Sequence, residues 1–283
     1  MLRQLLAGPG ILLVPGAYDG LSALLVEQAG FPAMFLSGAS LAYARLGRPD
    51  VGLTTASELA DACGRMADRV STPIVVDADS GHGNAVNLQR TVRMLERAGA
   101  AAVQIEDQAA LKPVNAIQSR PLVPVSEMVG RIKAAQDARS SEMLLISART
   151  DAQASVPFAE TLERCNAYVE AGCDALLAEG LTTPEQVAEV GRLFGQRAPL
   201  IHNLLEGGAS PFNAAAEIAP LGFRIALMPG AIVQTMARAS SELLAQMRAE
   251  GSTLAMRERM FTAPEMAKLV GAPQLAEKAQ RWS

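Results

Sequence analysis

The sequence predicts a TIM-type (β/α)8 barrel, and three observations carry that reading. Short β-branched or apolar runs alternate with longer segments of helical period almost from end to end. This is the pattern of repeated βα units. About eight strand-like runs are present, the number that closes a barrel. The rival architecture, an open doubly wound sheet, would normally place a glycine-rich phosphate loop after its first strand, and none follows here.

The strands are expected at residues 11–14, 33–36, 73–76, 102–105, 144–148, 175–178, 200–202 and 223–227. Helices are expected at 20–29, 56–69, 85–98, 125–138, 158–171, 184–193, 211–218 and 231–249. Three of them end in Ala-Gly, at Ala29-Gly30, Ala98-Gly99 and Ala171-Gly172. A glycine after the last turn can take the left-handed conformation that satisfies free carbonyls. From about residue 260 a helical tail is expected, starting at Thr262-Ala263-Pro264-Glu265 and broken at Gly271-Ala272-Pro273. The whole of 1–283 is read as one barrel domain, since no linker, low-complexity tract or charge block divides it.

Composition narrows the function. Hydrophobic residues make up 49% of the chain, as a sheet covered by helices on its outer face requires. The net charge is −4 and lysine and arginine form no cluster, which argues against nucleic acid and against an anionic membrane surface. A small anionic substrate stays open, because a local arginine and a metal can bind it whatever the global charge. No apolar run reaches the eighteen or so residues of a membrane span. The stretch Met1 to Leu6 is interrupted by Gly8, Pro9 and Gly10 and is expected to be too short for a signal sequence. Cys63, Cys165 and Cys173 lack metal-type spacing. They are read as small core residues of a reduced, cytoplasmic protein.

The most informative stretch is Asp77-Ala78-Asp79-Ser80-Gly81-His82-Gly83, directly after the apolar run Pro73-Ile74-Val75-Val76. Alternate residues leaving a strand share a side, so Asp77 and Asp79 can face one small volume. Two carboxylates that close repel each other, and hard oxygen ligands suit Mg²⁺ or Mn²⁺. The alternative is a solvated turn in which the two aspartates cap the following helix.

Barrel enzymes place their chemistry at the C-terminal ends of the strands, and those positions are unusually polar here. Ser37-Gly38 follows the second strand, Glu106-Asp107 the fourth, Arg149-Thr150-Asp151 the fifth, Glu179 the sixth and Asn203 the seventh. Glu106 would bring a third carboxylate to the aspartates. Arg149 suits either a substrate carboxylate or a structural pairing with Asp151. Glu179 and Asn203 could cap loops or touch a ligand. Ser37-Gly38 could hold an oxyanion or simply turn the chain. His82 and His202 lack a second histidine at ligand spacing and are read as hydrogen-bonding neighbours.

Taken together, Pro15-Gly16-Ala17-Tyr18-Asp19, Ser37-Gly38, Gly47-Arg48-Pro49-Asp50, the Asp77–Gly83 motif, Ile105-Glu106-Asp107-Gln108 and Ala148-Arg149-Thr150-Asp151-Ala152 resemble the isocitrate lyase/phosphoenolpyruvate mutase superfamily. The likeness spans nearly the whole chain, and is to the short methylisocitrate lyase-like and carboxyphosphonoenolpyruvate phosphonomutase-like members. It implies a barrel that binds Mg²⁺ and a small 2-oxo or 2-hydroxy acid, and that makes or breaks a C–C or P–C bond beside a carboxylate. By the resemblance, Asp79 is the nearest metal ligand, with Asp77, Glu106 and Asp50 around the metal's waters. Ser37, Gly38 and Arg149 hold the substrate, and Glu179 and Asn203 line the far side. It also implies a homotetramer in which neighbouring subunits exchange the C-terminal segment.

The loop after Asp107 departs from the lyase pattern. Isocitrate and methylisocitrate lyases carry a cysteine there as catalytic acid or base, whereas this chain reads Lys112-Pro113-Val114-Asn115-Ala116. Val114 cannot transfer a proton. Lys112 could be the proton donor, a charge that closes the loop over an anion, or a solvated lysine. The mutases have an asparagine two residues after the lysine, and Asn115 falls one place late. Leu205 and Ala231 stand where family lyases tend to have threonine and serine, which weakens the case for a second or third carboxylate on the substrate. The sequence thus predicts an Mg²⁺-dependent lyase cleaving a small diacid of the oxaloacetate or substituted-malate type through a metal-stabilised enolate, with Lys112, Arg149 and Glu106 carrying the chemistry. P–C chemistry on phosphonopyruvate and a binding protein that has lost turnover are the alternatives.

Overall fold

The computed structural model describes residues 1–109 and 121–282. Its eight strands are β1 (Leu12–Ala17), β2 (Met34–Leu36), β3 (Ile74–Asp77), β4 (Ala102–Glu106), β5 (Leu145–Thr150), β6 (Ala175–Ala178), β7 (Leu200–Asn203) and β8 (Phe223–Met228). All pair in parallel and in chain order, and β8 returns to β1 to close the barrel. The helices are α1 (Leu2–Ala7), α2 (Gly20–Gln28), α3 (Gly38–Leu46), α4 (Ala56–Arg69), α5 (Ala85–Arg97), α6 (Val125–Ala138), α7 (Phe158–Glu170), α8 (Pro184–Phe194), α9 (Ala215–Ile218), α10 (Ala231–Glu250), α11 (Ala263–Leu269) and α12 (Ala272–Gln280).

Strand periodicity splits the apolar residues into two cores. Val14, Phe35, Val75, Leu145, Leu177 and Leu227 fill the barrel, and Leu2 and Leu6 of α1 join them at its N-terminal end. Their sequence neighbours point outward against the helices, among them Met34, Ile74, Val103, Ile146 and Leu176, with Leu88, Ile132 and Tyr168 packed on them. Each fully buried aliphatic side chain contributes about 1.5–3 kcal/mol. Cys63, Cys165 and Cys173 are buried, as expected. Burial pushes the Cys63 and Cys173 thiols up to about 12, so they are unreactive.

The expected elements are found, with three differences of physical interest. First, β3, β4, β5 and β7 run one or two residues further than the apolar pattern, so Asp77, Glu106, Arg149, Thr150 and Asn203 lie within strands. The hydrogen-bond ladder does not stop where the side chains become polar. Second, α3 was not expected. Ser37 caps it by accepting from the Ser40 amide, and Gly47 ends it in the left-handed region at φ 59°. Third, the helix expected at 211–218 starts only at Ala215, because the Glu217 carboxylate accepts from the Asn213 and Ala214 amides and fixes the start there.

The chain divides into two compact units, Met1–Ile232 and Val233–Ser283. The first is the barrel. The second holds most of α10, expected as the last of the barrel's helices, together with the helical tail expected from about residue 260, in which Thr262 and Glu265 form the capping box that starts α11. No helix among the described residues is long and apolar enough to cross a membrane.

Gly81 and Asn84 shape the turn that follows β3. Gly81 sits at φ 92°, and a Cβ there would meet the Leu88 Cδ1 at 2.6 Å. Asn84 accepts from the Val86 and Asn87 amides and caps α5. Asn84→Ala is expected to cost about 1 kcal/mol, and Gly81→Ala more, because it adds a clash to a disfavoured φ. Urea unfolding should show both as a lower midpoint with an unchanged slope.

Candidate active site

The Asp77–Gly83 motif builds one side of the site through its backbone. Asp77 is the last residue of β3 and is in register with Gln104 of β4. Beyond the strand the ladder persists, since the Ala78 amide donates to the Gln104 carbonyl at 2.9 Å and the Glu106 amide to the Asp79 carbonyl at 2.9 Å. Asp79 takes the left-handed conformation, φ 48°, which aspartate tolerates better than most residues. The outcome is a cluster in which Asp77, Asp79 and Glu106 each offer a carboxylate oxygen within 4.8 Å of the others. The capping role that was the alternative for the aspartates belongs to Asn84.

Asp77 and Glu106 are buried and Asp79 partly so. Three like charges this close, removed from bulk water, repel strongly. Their all-oxygen donor set is the kind that holds a hard divalent cation, so the residues present fit such an ion.

Arg149 stands opposite, in register with Glu106 across β4 and β5. Asp151 holds it like a fork, accepting from Nε at 3.1 Å and Nη2 at 2.8 Å. Glu106 lies 3.5 Å from Nε and Glu179 lies 3.9 Å from Nη2. Burial works against the guanidinium charge, but Asp151, Glu179 and Glu106 outweigh it and hold the pKa well above its ordinary value. The pairing with Asp151 is therefore real. Nη1 makes no hydrogen bond among the described residues, and the side chain lines a cavity of about 400 Å³. On the next strands, the Asn203 amide donates to the Glu179 carboxylate at 3.2 Å.

Ser37, Asp50, Asp77, Arg149, Glu179 and Asn203 all line that one cavity. Gly38 opens α3 beside it, where a Cβ would lie 3.5 Å from an Asp77 oxygen. Asp50 is on the cavity wall but outside the three-carboxylate cluster. Lys112 lies outside the described residues.

Phe35, Gln104, Leu177 and Leu227 form the floor and were missed in the sequence. The signal was available: Phe35, Gln104 and Leu177 each precede a rim residue by two, the strand period. Neither end of the fully buried Gln104 carboxamide meets a partner among the described residues. A ligand reaching the floor would find both a donor and an acceptor there.

His202, the penultimate residue of β7, is a hydrogen-bonding neighbour, as expected. Its Nε2 lies 2.9 Å from the Ser210 hydroxyl and its ring stands edge-on to Phe223. Burial pushes its pKa down from 6.5 to about 4. Protonation is penalised only in the folded state, so stability is intact above the unfolded pKa and declines as pH falls from about 6.5 toward 4. The loss by then reaches about 3 kcal/mol. Urea unfolding at pH 7 and pH 5 is expected to show this slope, and His202→Gln is expected to remove it.

Comparison with known proteins agrees with this geometry. The family model described as phosphoenolpyruvate phosphomutase matches residues 2–248. A 2-methylisocitrate lyase of Aeropyrum pernix is 39% identical over 96% of this chain and 86% of its own. A 2,3-dimethylmalate lyase of Eubacterium barkeri is 36% identical over 98% and 95%. Among solved structures, oxaloacetate acetylhydrolase in complex with the inhibitor 3,3-difluorooxalacetate superposes with a TM-score of 0.92 at 30% identity, over 99% of this chain and 95% of that one. Phosphonopyruvate hydrolase in complex with oxalate and Mg²⁺ superposes with a TM-score of 0.90 at 30% identity, over 99% and 97%. With a closed eightfold barrel, a three-carboxylate cluster and an arginine facing it, the chain is a member of the phosphoenolpyruvate phosphomutase family, within the isocitrate lyase/phosphoenolpyruvate mutase superfamily.

Proposed function

We propose that this protein is an Mg²⁺-dependent carbon–carbon lyase acting on a small 2-oxo or 2-hydroxy diacid of the oxaloacetate or substituted-malate type. The observation that carries the reading is the register of β4 on β5, which sets Glu106 of the carboxylate cluster against Arg149. A cation site and an anion site side by side suit a substrate with a carboxylate next to an oxygen. The similarity to lyases of dimethylmalate and methylisocitrate supports the reaction class.

Asp79, Asp77 and Glu106 would hold the metal, with Asp50 reaching it through water. An ion held there would supply positive charge to offset the negative charge on the substrate's α-oxygen. Arg149 binds the substrate carboxylate and fixes its plane. Ser37 and the first amides of α3 present donors to the same anion. Glu179 and Asn203 orient the far end. Lys112 is the candidate proton donor to the carbon of the enolate that cleavage leaves. Leu205 and Leu227 leave part of the wall apolar, which favours a small or alkyl-substituted substrate over one with a third carboxylate.

P–C chemistry is the second reading, supported by the likeness to phosphonopyruvate hydrolase. A binding protein without turnover is the third. The protein is also proposed to be cytoplasmic and a homotetramer. Support for assembly comes from the second unit, where Leu244, Phe261, Leu275 and Trp282 are all more than half exposed. Sedimentation at micromolar concentration tests that assembly.

Proton NMR of oxaloacetate, alkyl malates, methylisocitrate and phosphonopyruvate with Mg²⁺ separates the three readings. Turnover of a diacid supports the first, and phosphate or phosphoenolpyruvate from phosphonopyruvate the second. Metal-dependent oxalate binding with no turnover supports the third. Asp79→Ala is expected to abolish metal-dependent turnover while far-ultraviolet circular dichroism stays unchanged; activity persisting in chelator-treated wild type would refute the metal site. Lys112→Ala is expected to lower kcat far more than it raises KM if the amine moves a proton, whereas a change in KM alone would make it a binding residue.

A further inference from the structure

Asp107 follows Glu106 but points the opposite way, out of the barrel into the layer between sheet and helices, where it is fully buried. Its Oδ1 accepts from the Asp151 amide at 2.9 Å. Its Oδ2 accepts from the Thr150 hydroxyl at 2.7 Å, the Tyr168 hydroxyl at 2.8 Å and Arg164 Nη1 at 3.3 Å. Four donors from β5, the turn after it and α7 thus meet on one carboxylate. Arg164 also reaches the Val123 carbonyl at 3.0 Å, on the segment that pairs with Asp107 through the Val123 amide.

Burying a carboxylate, a guanidinium and a phenol in an otherwise apolar layer costs desolvation that leucines would not incur. The bonds suggest what offsets it, because three of them fall on the residues around Arg149. The Asp107 amide donates to the Arg149 carbonyl at 3.2 Å. Its carboxylate takes the side chain of Thr150 and the backbone of Asp151, and Asp151 in turn grips the Arg149 guanidinium. Two other carboxylates, Glu106 and Glu179, lie within 3.9 Å of that guanidinium and compete for it. A free arginine would sample all three. One partner wins because its backbone is clamped from behind.

We propose that Asp107, supported by Tyr168 and Arg164, positions Arg149: it fixes Asp151, and Asp151 holds the guanidinium at the cavity wall in preference to the more distant Glu106 and Glu179. Asp107 touches neither metal nor substrate and acts through Arg149. That Arg149 binds the acid rests on the function proposed above; the clamp on its side chain does not.

The test has two readouts. In protein labelled with ¹⁵N-arginine, the Arg149 Nε–H signal is assigned by its loss in Arg149→Lys. Asp107→Asn is expected to raise its solvent exchange by about tenfold or more, while Arg139, paired to Asp174 elsewhere, exchanges as in the wild type. An unchanged Arg149 rate, or an equal rise at Arg139, overturns the proposal. In turnover, Asp107→Asn is expected to lower kcat/KM mainly through KM in the wild type and to have less than about a twofold effect in an Arg149→Lys background. Full additivity overturns it. Should no substrate turn over, the proposed function fails while the exchange readout still decides on the clamp. If Asp107→Asn does not fold, Tyr168→Phe keeps the ring, removes one donor and is expected to raise Arg149 exchange about threefold.

Discussion

Repulsion among acid groups at the C-terminal rim of the barrel is the constraint to which the rest of the site answers. Asp77, Asp79 and Glu106 crowd within 4.8 Å, and Glu179, Asp151 and Asp107 lie close behind or beside them. Arginines are interleaved with them. Arg149 stands among Asp151, Glu106 and Glu179, Arg164 against Asp107, and Arg131 donates to the carbonyls of Glu106 and Gln108. The guanidinium is suited to this place because it stays charged when buried and its planar fork can engage two oxygens at once. The cluster itself is an all-oxygen donor set of the kind that holds a hard divalent cation.

Much of the fold could be read in advance because the barrel imposes two strict periods. Apolar runs three to five residues long located every strand, three of them shortly after Ala-Gly helix ends, and Gly30, Gly99 and Gly172 do take the left-handed conformation the sequence implied. α3 was hidden because its start carries both signals at once. Ser37-Gly38 was read for its chemistry, and the serine that caps the helix is the same serine that lines the cavity. The late start of α9 depends on a Glu217 side chain bending back on two amides, a contact that no periodicity announces.

The polar rim was legible for the same geometric reason as the strands: residues following an apolar run must turn polar somewhere, and in a barrel they do so together. The floor was overlooked despite the strand period that places it, since Phe35, Gln104 and Leu177 look like ordinary strand interior until the closed sheet turns them toward the cavity. The Asp107 clamp was harder still. Its donors come from residues 43 to 61 positions away, and only the folded β5 and α7 bring them to one carboxylate.

The plug at the opposite end of the barrel bears on the order of assembly. α1 is synthesised before any strand, yet its docking partners come much later in the chain: Arg3 pairs with Asp174, and Arg224 reaches back to the Leu6 and Gly8 carbonyls. Leu2 and Leu6 have no apolar seat until the eight strands have closed. α1 therefore precedes its own seat in the chain, and its seating reports ring closure, because contacts this distant in sequence form only after the intervening chain has paid its loop entropy.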